Sequence, residues 1–413
     1  MRLLIVVAAV FAILASSASA STSIRYGVQD DAWLRYGPGK LNARLDRLQS
    51  LGVDLVRINV SWSDVERSEG HFRWNSYDSI VKGLHRRGID AVLTLVSTPA
   101  WANGGQGTNY APTNGVAFAD FAAAAAHRYP FVTRWLIWNE PNQRRWLRPT
   151  VPSIYVKRLL NPAYKAIHHV LPHALVGGGV TAPRAATGGV SPLAWIRGMG
   201  AAHAKLDAYA HNPYPLSPTE TPFTGGCKHC STLTMATLPQ LVADVNHAFG
   251  KGKRIWLTEY GYQTDPPDNF LGVSLEKQAL FVSQAALRAY LQPRVDMLIN
   301  YLVQDEPDLA RWQSGILTAT GDVKPSYQAF ELPLTVKSHR HGSLTLWGQI
   351  RPGTGTQPYV LEELKGSTWQ PVGTPARTGP RGFFTRVVPA SPGASFRVLQ
   401  LTRGLTSSTV AAG

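Results

Sequence analysis

Short runs of β-branched and apolar residues alternate with helix-periodic segments over residues 24–330 of this 413-residue chain. The helical segments have apolar side chains three or four positions apart, as at Leu41, Leu45 and Leu48. Eight strand-then-helix units at roughly 40-residue spacing are what a (β/α)₈ (TIM) barrel requires, so we predict this α/β fold. An open doubly wound sheet is the alternative, but its usual glycine-rich turn after the first strand is missing from this sequence. The predicted strands are Ile24–Gln29, Val53–Val60, Asp90–Val96, Arg134–Asn139, Ala174–Val180, Leu206–His211, Arg254–Glu259 and Val295–Val303.

The sequence pattern changes after Phe330. From Gly342 onward, short alternating apolar runs are separated by clusters of glycine and proline, and no segment has a helical period. This pattern predicts a small all-β, sandwich-like domain over residues 342–406, following a barrel domain over residues 21–333. Because eight units are complete at Phe330, we expect catalysis not to require the second domain. Attachment to a polymer or cell envelope and shielding of the barrel both remain open as its role.

The first twenty residues have the pattern of a secretory signal peptide. Arg2 supplies the positive start, residues 3–14 are apolar, and Ala18-Ser19-Ala20 is a small-residue cleavage pattern. No later stretch reaches 18 uninterrupted apolar residues, so we expect a secreted, extracellular protein. We also expect this protein to be a monomer. The formal net charge of +15 leaves open two interpretations: attraction to an anionic cell envelope or acidic polysaccharide, or simply a solvated basic surface. No run of lysine or arginine is dense enough to indicate nucleic-acid binding.

The only two cysteines, Cys227 and Cys230, form a single C-x-x-C pattern. A disulfide, a redox motif and half of a metal site all have this spacing. Export favours the disulfide, and no second C-x-x-C is present to complete a four-cysteine zinc site. We therefore predict a disulfide that fixes a loop.

Two glutamates, Glu140 and Glu259, lie at the ends of the fourth and seventh predicted strands. In a (β/α)₈ barrel the carboxyl ends of the strands meet at one opening, so the fold would bring together side chains 119 positions apart. Two facing carboxyl groups are the chemistry of glycosidic bond cleavage, in which one is protonated and the other ionised. Arg57, near the end of the second strand, would keep one carboxylate ionised, or would form an ordinary buried ion pair.

These residues resemble those of the clan of retaining (β/α)₈ glycoside hydrolases whose catalytic glutamates follow strands 4 and 7. That clan contains cellulase-like and xylosidase-like exported enzymes. The resemblance covers residues 24–330 and does not extend to the C-terminal domain. The matching segments are Val56-Arg57-Ile58-Asn59-Val60-Ser61-Trp62, Trp138-Asn139-Glu140-Pro141 and Leu257-Thr258-Glu259-Tyr260-Gly261.

The resemblance implies a role for each matching residue. Glu140 matches the acid/base and Glu259 the nucleophile, while Asn139 matches the neighbour that binds the sugar 2-hydroxyl. Arg57 matches the arginine beside the nucleophile. The resemblance also implies that a histidine and a tyrosine line the reacting subsite, with the tyrosine donating a hydrogen bond to the nucleophile; the matching residues are His211 and Tyr214. A buried, hydrogen-bonded core position is the alternative for the histidine.

Several aromatic residues near the predicted strand ends are further candidates for substrate contact. Trp62 and Trp101 would stack on sugars or pack in the core, and Tyr301 or Trp312 would replace the tryptophan that related enzymes often have after strand 8. Neither a G-x-S-x-G nor an H-E-x-x-H motif is present, so we predict no catalytic metal and no organic cofactor. The sequence thus predicts a retaining glycoside hydrolase acting on a poly- or oligosaccharide. A glycan-binding protein or a transglycosylase on the same scaffold remains the alternative.

Overall fold

The computed structural model describes residues 20–227, 229–389 and 391–412. The predicted signal peptide lies almost wholly outside these described residues. Within them, no helix combines the length and the apolar composition needed to cross a membrane.

The predicted (β/α)₈ barrel is confirmed: eight parallel strands form a closed barrel in the order β1 to β8, and β8 pairs with β1. Each strand lies within a few residues of its predicted position, because the buried β-branched runs that define them are separated by polar turns. The strands are β1 (Arg25–Gln29), β2 (Leu55–Ser61), β3 (Asp90–Val96), β4 (Arg134–Ile137), β5 (Leu175–Thr181), β6 (Ala208–His211), β7 (Arg254–Tyr260) and β8 (Val295–Tyr301).

Helices connect the strands and cover the outside of the barrel. In the helix Asn75–His85, for example, Tyr77, Ile80, Val81 and Leu84 share one buried face at helical spacing. A π-helix, Val156–Leu160, joins two of the α-helices, and a 3₁₀-helix spans Ala100–Ala102. The α-helices are α1 (Asp31–Tyr36), α2 (Leu41–Ser50), α3 (Trp62–Val65), α4 (Asn75–His85), α5 (Val116–Arg128), α6 (Pro152–Tyr155), α7 (Asn161–Val170), α8 (Pro192–Ala201), α9 (Leu238–Phe249), α10 (Leu275–Tyr290) and α11 (Pro325–Glu331).

The inside of the barrel is a packed core. Leu55, Val92, Leu136 and Trp256 are among its fully buried members. Gly177 in β5 makes room for the largest of them, since a Cβ on this glycine would lie 2.7 Å from the Trp256 ring. The interior therefore cannot hold substrate, and a binding site has to be formed at one end of the barrel.

The C-terminal strands form two antiparallel sheets that share one core, so the predicted sandwich is also confirmed. The first strand begins at Leu334, earlier than the expected Gly342. Its alternation is hard to recognise because only its first two residues are buried, and the polar residues from Lys337 onward are partly or fully exposed. The strands are β9 (Leu334–Arg340), β10 (Ser343–Gln349), β11 (Pro358–Lys365), β12 (Thr368–Pro371), β13 (Ala376–Arg377), β14 (Phe383–Pro389), β15 (Ser395–Gln400), β16 (Leu405–Thr406) and β17 (Val410–Ala411).

The sandwich packs on the barrel through buried side chains. Trp347 of β10 is fully buried, belongs to the main barrel core and lies 5.2 Å, centroid to centroid, from Tyr290 of α10. The guanidinium of Arg351, also buried, lies 3.9 Å from the centre of the Tyr26 ring and donates a hydrogen bond to the Phe330 carbonyl. Trp347 of the sandwich therefore belongs to the barrel core, while the rest of the sandwich has a separate core of its own.

This interface includes the end of the barrel at which the strands begin. Arg381 donates hydrogen bonds to the carbonyls of Ser23 and Ile24, just before β1. Gly52, just before β2, has a left-handed backbone, and a Cβ there would lie 2.6 Å from Arg351. The opposite end, where the strands finish, carries the cavity described next.

Candidate active site

Glu140 follows β4 in a backbone segment with left-handed conformations. Trp138 and Glu140 both have positive φ angles, +71° and +39°, and the Glu140 amide donates a hydrogen bond to the Val180 carbonyl at 2.9 Å. A left-handed backbone costs a residue with a side chain roughly 1–2 kcal/mol. Such strain is typical of functional sites, where the surroundings hold an otherwise unfavourable conformation. This backbone segment places the Glu140 side chain at the wall of the cavity.

Glu259 in β7 is bound by two side chains, Arg57 from β2 and Tyr214 from the loop after β6. The guanidinium of Arg57, which is fully buried, donates a hydrogen bond to Glu259 Oε1 at 2.5 Å, and Tyr214 Oη donates to Oε2 at 3.1 Å. Arg57 also donates to Asn139 Oδ1 at 2.8 Å, so it connects β7 with the segment after β4. Burial raises the pKa of Glu259, whereas the charge of Arg57 and the hydrogen bonds from Tyr214 and Arg57 lower it. Overall, burial leaves the pKa of Glu259 raised, and these partners oppose that rise and so favour the ionised form.

Glu140 has a different environment. It accepts one hydrogen bond, from Asn212 Nδ2 at 3.2 Å, and no ion pair to it is found among the described residues. Burial and the nearby negative charge of Glu259 raise the pKa of Glu140 to about 7. Asn212 is itself fixed, because Thr258 Oγ1 donates to its side-chain oxygen at 2.7 Å. Glu140 is therefore suited to hold a proton while Glu259 remains charged.

Asn212 was not among the residues expected from the sequence. It directly follows β6 in His211-Asn212-Pro213-Tyr214, so its position at a strand end was the available signal.

The two glutamates line one cavity of about 570 Å³ at the carboxyl ends of the strands. Tyr214, Tyr301 and Trp312 form an aromatic wall, with the Trp312 ring 5.0 Å from Tyr214 and 5.6 Å from Tyr301. Trp312 is 38% exposed, so its ring is available to a ligand. Flat aromatic faces beside paired carboxyl groups are suited to binding the apolar face of a sugar.

The structure contradicts three of the expected substrate contacts. His211 is fully buried, and its ring nitrogens bond to Thr181 Oγ1 at 2.8 Å and to the Leu233 carbonyl at 3.0 Å. Burial also lowers the pKa of His211 to about 4, so it is a neutral core histidine that supports the end of β6. Both of its hydrogen-bonding atoms are used, which removes it from direct sugar binding.

Trp62 and Trp101 are likewise packing residues. Trp62 is fully buried, stacks on Phe121 at 5.6 Å and donates its indole N–H to Glu66. Trp101 packs edge-on against Trp62 and donates to the Glu66 carbonyl at 2.9 Å. Neither is among the residues that line the cavity. Their positions after β2 and β3 left sugar stacking and core packing both open, and the structure shows packing.

The loop between β6 and α9 contains the predicted disulfide between Cys227 and Cys230. In the described part of the chain, no group of three or more histidine, cysteine, aspartate or glutamate side chains is arranged to hold a metal ion.

A closed (β/α)₈ barrel with one glutamate after β4 and a second, ion-paired glutamate in β7 has the architecture of a retaining O-glycosyl hydrolase, whose substrates are carbohydrates. The family model described as cellulase, glycosyl hydrolase family 5, matches residues 16–268. The chain belongs to this family. A search of curated proteins finds no significant match.

Solved glycoside hydrolase structures share the fold. A family 39 glycoside hydrolase from Bacteroides cellulosilyticus WH2 is 18% identical, with a TM-score of 0.63 over 88% of this chain and 79% of that one. A monomeric β-xylosidase from Caulobacter crescentus CB15 is 12% identical, with a TM-score of 0.58 over 90% and 96%. A glucosidase from Croceicoccus marinus is 13% identical, with a TM-score of 0.60 over 90% and 94%. At these identities the likeness concerns the fold alone.

Proposed function

We propose that this protein is a secreted retaining glycosidase in which Glu259 is the nucleophile and Glu140 the acid/base. The observation that carries this assignment is the unequal environment of the two carboxyl groups. Glu259 has the Arg57 guanidinium at 2.5 Å, whereas Glu140 has a single neutral hydrogen-bond donor. A nucleophile has to be ionised and a general acid protonated, and these contacts favour that distribution.

The reaction would proceed by double displacement. Glu259 attacks the anomeric carbon while Glu140 donates its proton to the leaving glycosidic oxygen, which forms a covalent glycosyl-enzyme. Glu140, now ionised, takes a proton from water, and that water releases the sugar with retained configuration. Arg57 and Tyr214 would hold the nucleophile in position, and Asn139, itself held by Arg57, would bind the sugar 2-hydroxyl.

The assignment can be tested with a panel of aryl glycosides of different sugars, using the Glu259→Gln protein as the blank. Wild-type protein is expected to release a product that initially has the same anomeric configuration as the substrate, as measured by NMR. Glu140→Ala should still cleave substrates with good leaving groups, and added azide should then give a glycosyl azide of retained configuration. A glycosyl azide of inverted configuration from Glu140→Ala would show that the two roles are exchanged.

Export and solution state belong to the same proposal. Ser21, the residue after the proposed cleavage site, is fixed to the barrel by hydrogen bonds from its amide to the Tyr290 carbonyl and from its hydroxyl to the Val295 carbonyl. We expect the mature N-terminus at Ser21, a monomer by light scattering, and recovery in the medium or bound to the anionic cell envelope. N-terminal sequencing that finds Met1 on the active protein would contradict export by this route.

A further inference from the structure

Three arginines line the mouth of the cavity, and two of them lack an anionic partner. Arg311 pairs with Glu306, with 3.5 Å between the charged groups. Among the described residues, the Arg145 and Arg184 side chains have neither an ion pair nor a hydrogen bond to an acceptor. Both are exposed, and the Arg145 guanidinium lies 5.3 Å from the Trp146 ring, which also lines the cavity. The mouth thus has two positive charges that form no ion pair, although Arg145 lies within electrostatic range of Glu140.

The loops that carry these arginines are held by buried amides. Asn142, fully buried, accepts a hydrogen bond from the Ala182 amide at 2.9 Å and donates to the Val190 carbonyl at 3.0 Å. This side chain therefore joins the loop after β4 to the loop after β5. Gln143, also buried, joins the same two loops: it donates a hydrogen bond to the Arg184 carbonyl and accepts one from the Ala186 amide. The backbone at Arg184 is thereby fixed before any ligand arrives.

The loop after β4 is held in the same way. Asn109 Nδ2 donates to the Arg145 carbonyl at 3.1 Å, and Trp138 Nε1 donates to the Trp146 carbonyl at 2.8 Å. Both arginines thus extend from supported backbone into solvent at the cavity mouth.

Both arginines lie on the Glu140 side of the cavity, because β4 and β5 are neighbours in the barrel. A general acid donates its proton to the leaving oxygen, so the departing sugar has to lie on this side. Glu259, Tyr301 and Trp312 belong to the β7 and β8 side, where the sugar that becomes attached to the nucleophile would lie. The unpaired charges are therefore next to the leaving sugar.

We propose that the leaving-group side of this cavity binds an anionic sugar through Arg145 and Arg184. The anionic group is a uronate carboxylate or a sulfate ester, both of which accept paired hydrogen bonds from a guanidinium. The proposal rests on the proposed function, because it assigns the proton donor to Glu140. The formal charge of +15 supports it independently, since a basic surface attracts an acidic polymer before contact.

The test compares acidic polysaccharides with neutral derivatives of the same backbone. Glucuronoxylan and polygalacturonate are each assayed beside their carboxyl-reduced forms, and chondroitin sulfate beside its desulfated form. The full-length protein is expected to favour the acidic member of at least one pair roughly tenfold or more in kcat/KM, and the advantage should shrink with added salt. Where neither member is cleaved, inhibition of aryl glycoside turnover by the two polymers replaces cleavage as the measurement. The pair that shows the preference distinguishes a carboxylate from a sulfate ester.

Substitutions locate the preference. Arg145→Gln and Arg184→Gln should each lower the ratio of the acidic to the neutral rate several-fold, and the double variant should abolish it. Arg144→Gln is the matched control, because Arg144 is an exposed arginine of the same loop that does not line the cavity. It should keep the wild-type ratio.

Each remaining outcome has a definite meaning. Equal rates or equal inhibition within every pair would overturn the proposal, and so would a preference that survives in the double variant. If wild-type protein turns over no aryl glycoside above the Glu259→Gln blank, the proposed function fails instead. Turnover of aryl glycosides without any acidic preference refutes only the present inference.

Discussion

Replacing Trp347 by alanine should destabilise the whole protein, although this residue belongs to the C-terminal domain. The indole is fully buried and packs against Tyr290 of the barrel at 5.2 Å and Phe383 at 6.0 Å. Burying about 200 Å² of aromatic surface at ~25 cal/mol/Å² corresponds to about 5 kcal/mol, and truncation of a core tryptophan typically costs about 3–5 kcal/mol. We therefore expect the free energy of unfolding to fall by about 3–5 kcal/mol.

The assay is equilibrium denaturation of the full chain, followed by near-ultraviolet circular dichroism and by aryl glycoside turnover. Because Trp347 packs in the barrel core, both signals should be lost at the same denaturant concentration in wild-type protein and at the same lower concentration in Trp347→Ala. Trp369→Ala is the control, since Trp369 lies half-exposed in β12 beneath Arg397. It should shift the midpoint much less.

Two results would refute this coupling of the two domains through Trp347. One is a Trp347→Ala midpoint no lower than that of Trp369→Ala. The other is turnover that persists after part of the near-ultraviolet signal has been lost, which would mean that the barrel is stable alone. By the same reasoning, a chain ending near residue 335 should fail to fold, although the sequence alone led us to expect that catalysis would not need the sandwich.

Three further predictions concern the site and its loop. Tyr214→Phe removes a 3.1 Å hydrogen bond to the Glu259 carboxylate, which is worth about 1.5–3 kcal/mol, so kcat should fall roughly 10–100-fold. In wild-type protein the Tyr214 hydrogen bond lowers the pKa of Glu259, so its removal should raise that pKa and move the acid limb of the pH–rate profile to higher pH. An unmoved limb would contradict this role. Since Glu140 has to be protonated and its pKa is about 7, kcat/KM should decline above about pH 7, and this decline should be absent in Glu140→Ala with a good leaving group. Thiol titration of denatured, unreduced protein should find no free thiol, and Cys227→Ser with Cys230→Ser should cost at most about 2 kcal/mol because the closed loop is so short; two free thiols would reject the disulfide.

The barrel could be predicted because its strands and helices have distinct periods over many repeats. The position of a carboxylate at the end of a strand then follows from topology, which is why Glu140 and Glu259 could be placed together before the fold was known. The contact between Arg57 and Glu259 could be predicted in the same way, because Arg57 lies on β2 of the same barrel.

Side-chain direction beyond the strand ends could not be obtained in this way. Trp62 lies immediately after β2 yet turns into the helical layer, and His211 ends β6 but uses both nitrogens within the core. Which way such a residue points depends on neighbours from distant parts of the chain, such as Phe121 and Leu233. The buried contact of the two domains was missed for the same reason, since alternation in β10 places Trp347 on the face opposite Leu344 and Leu346 and does not show what covers that face.

The sandwich packs at the end of the barrel where the strands begin. Substitutions in this interface are therefore far from substitutions around the cavity. Seven-residue strands tilted as in a (β/α)₈ barrel put the two ends of the barrel roughly 20 Å apart. Substitutions at Trp347 or Arg351 and substitutions at Arg145 or Trp312 therefore share no packing partner, and their free-energy effects should add. Variation in the loops around the cavity can thus alter sugar preference while the interface at the other end retains its stability. A thermostable variant obtained by repacking that interface would be a suitable parent for changing the substrate.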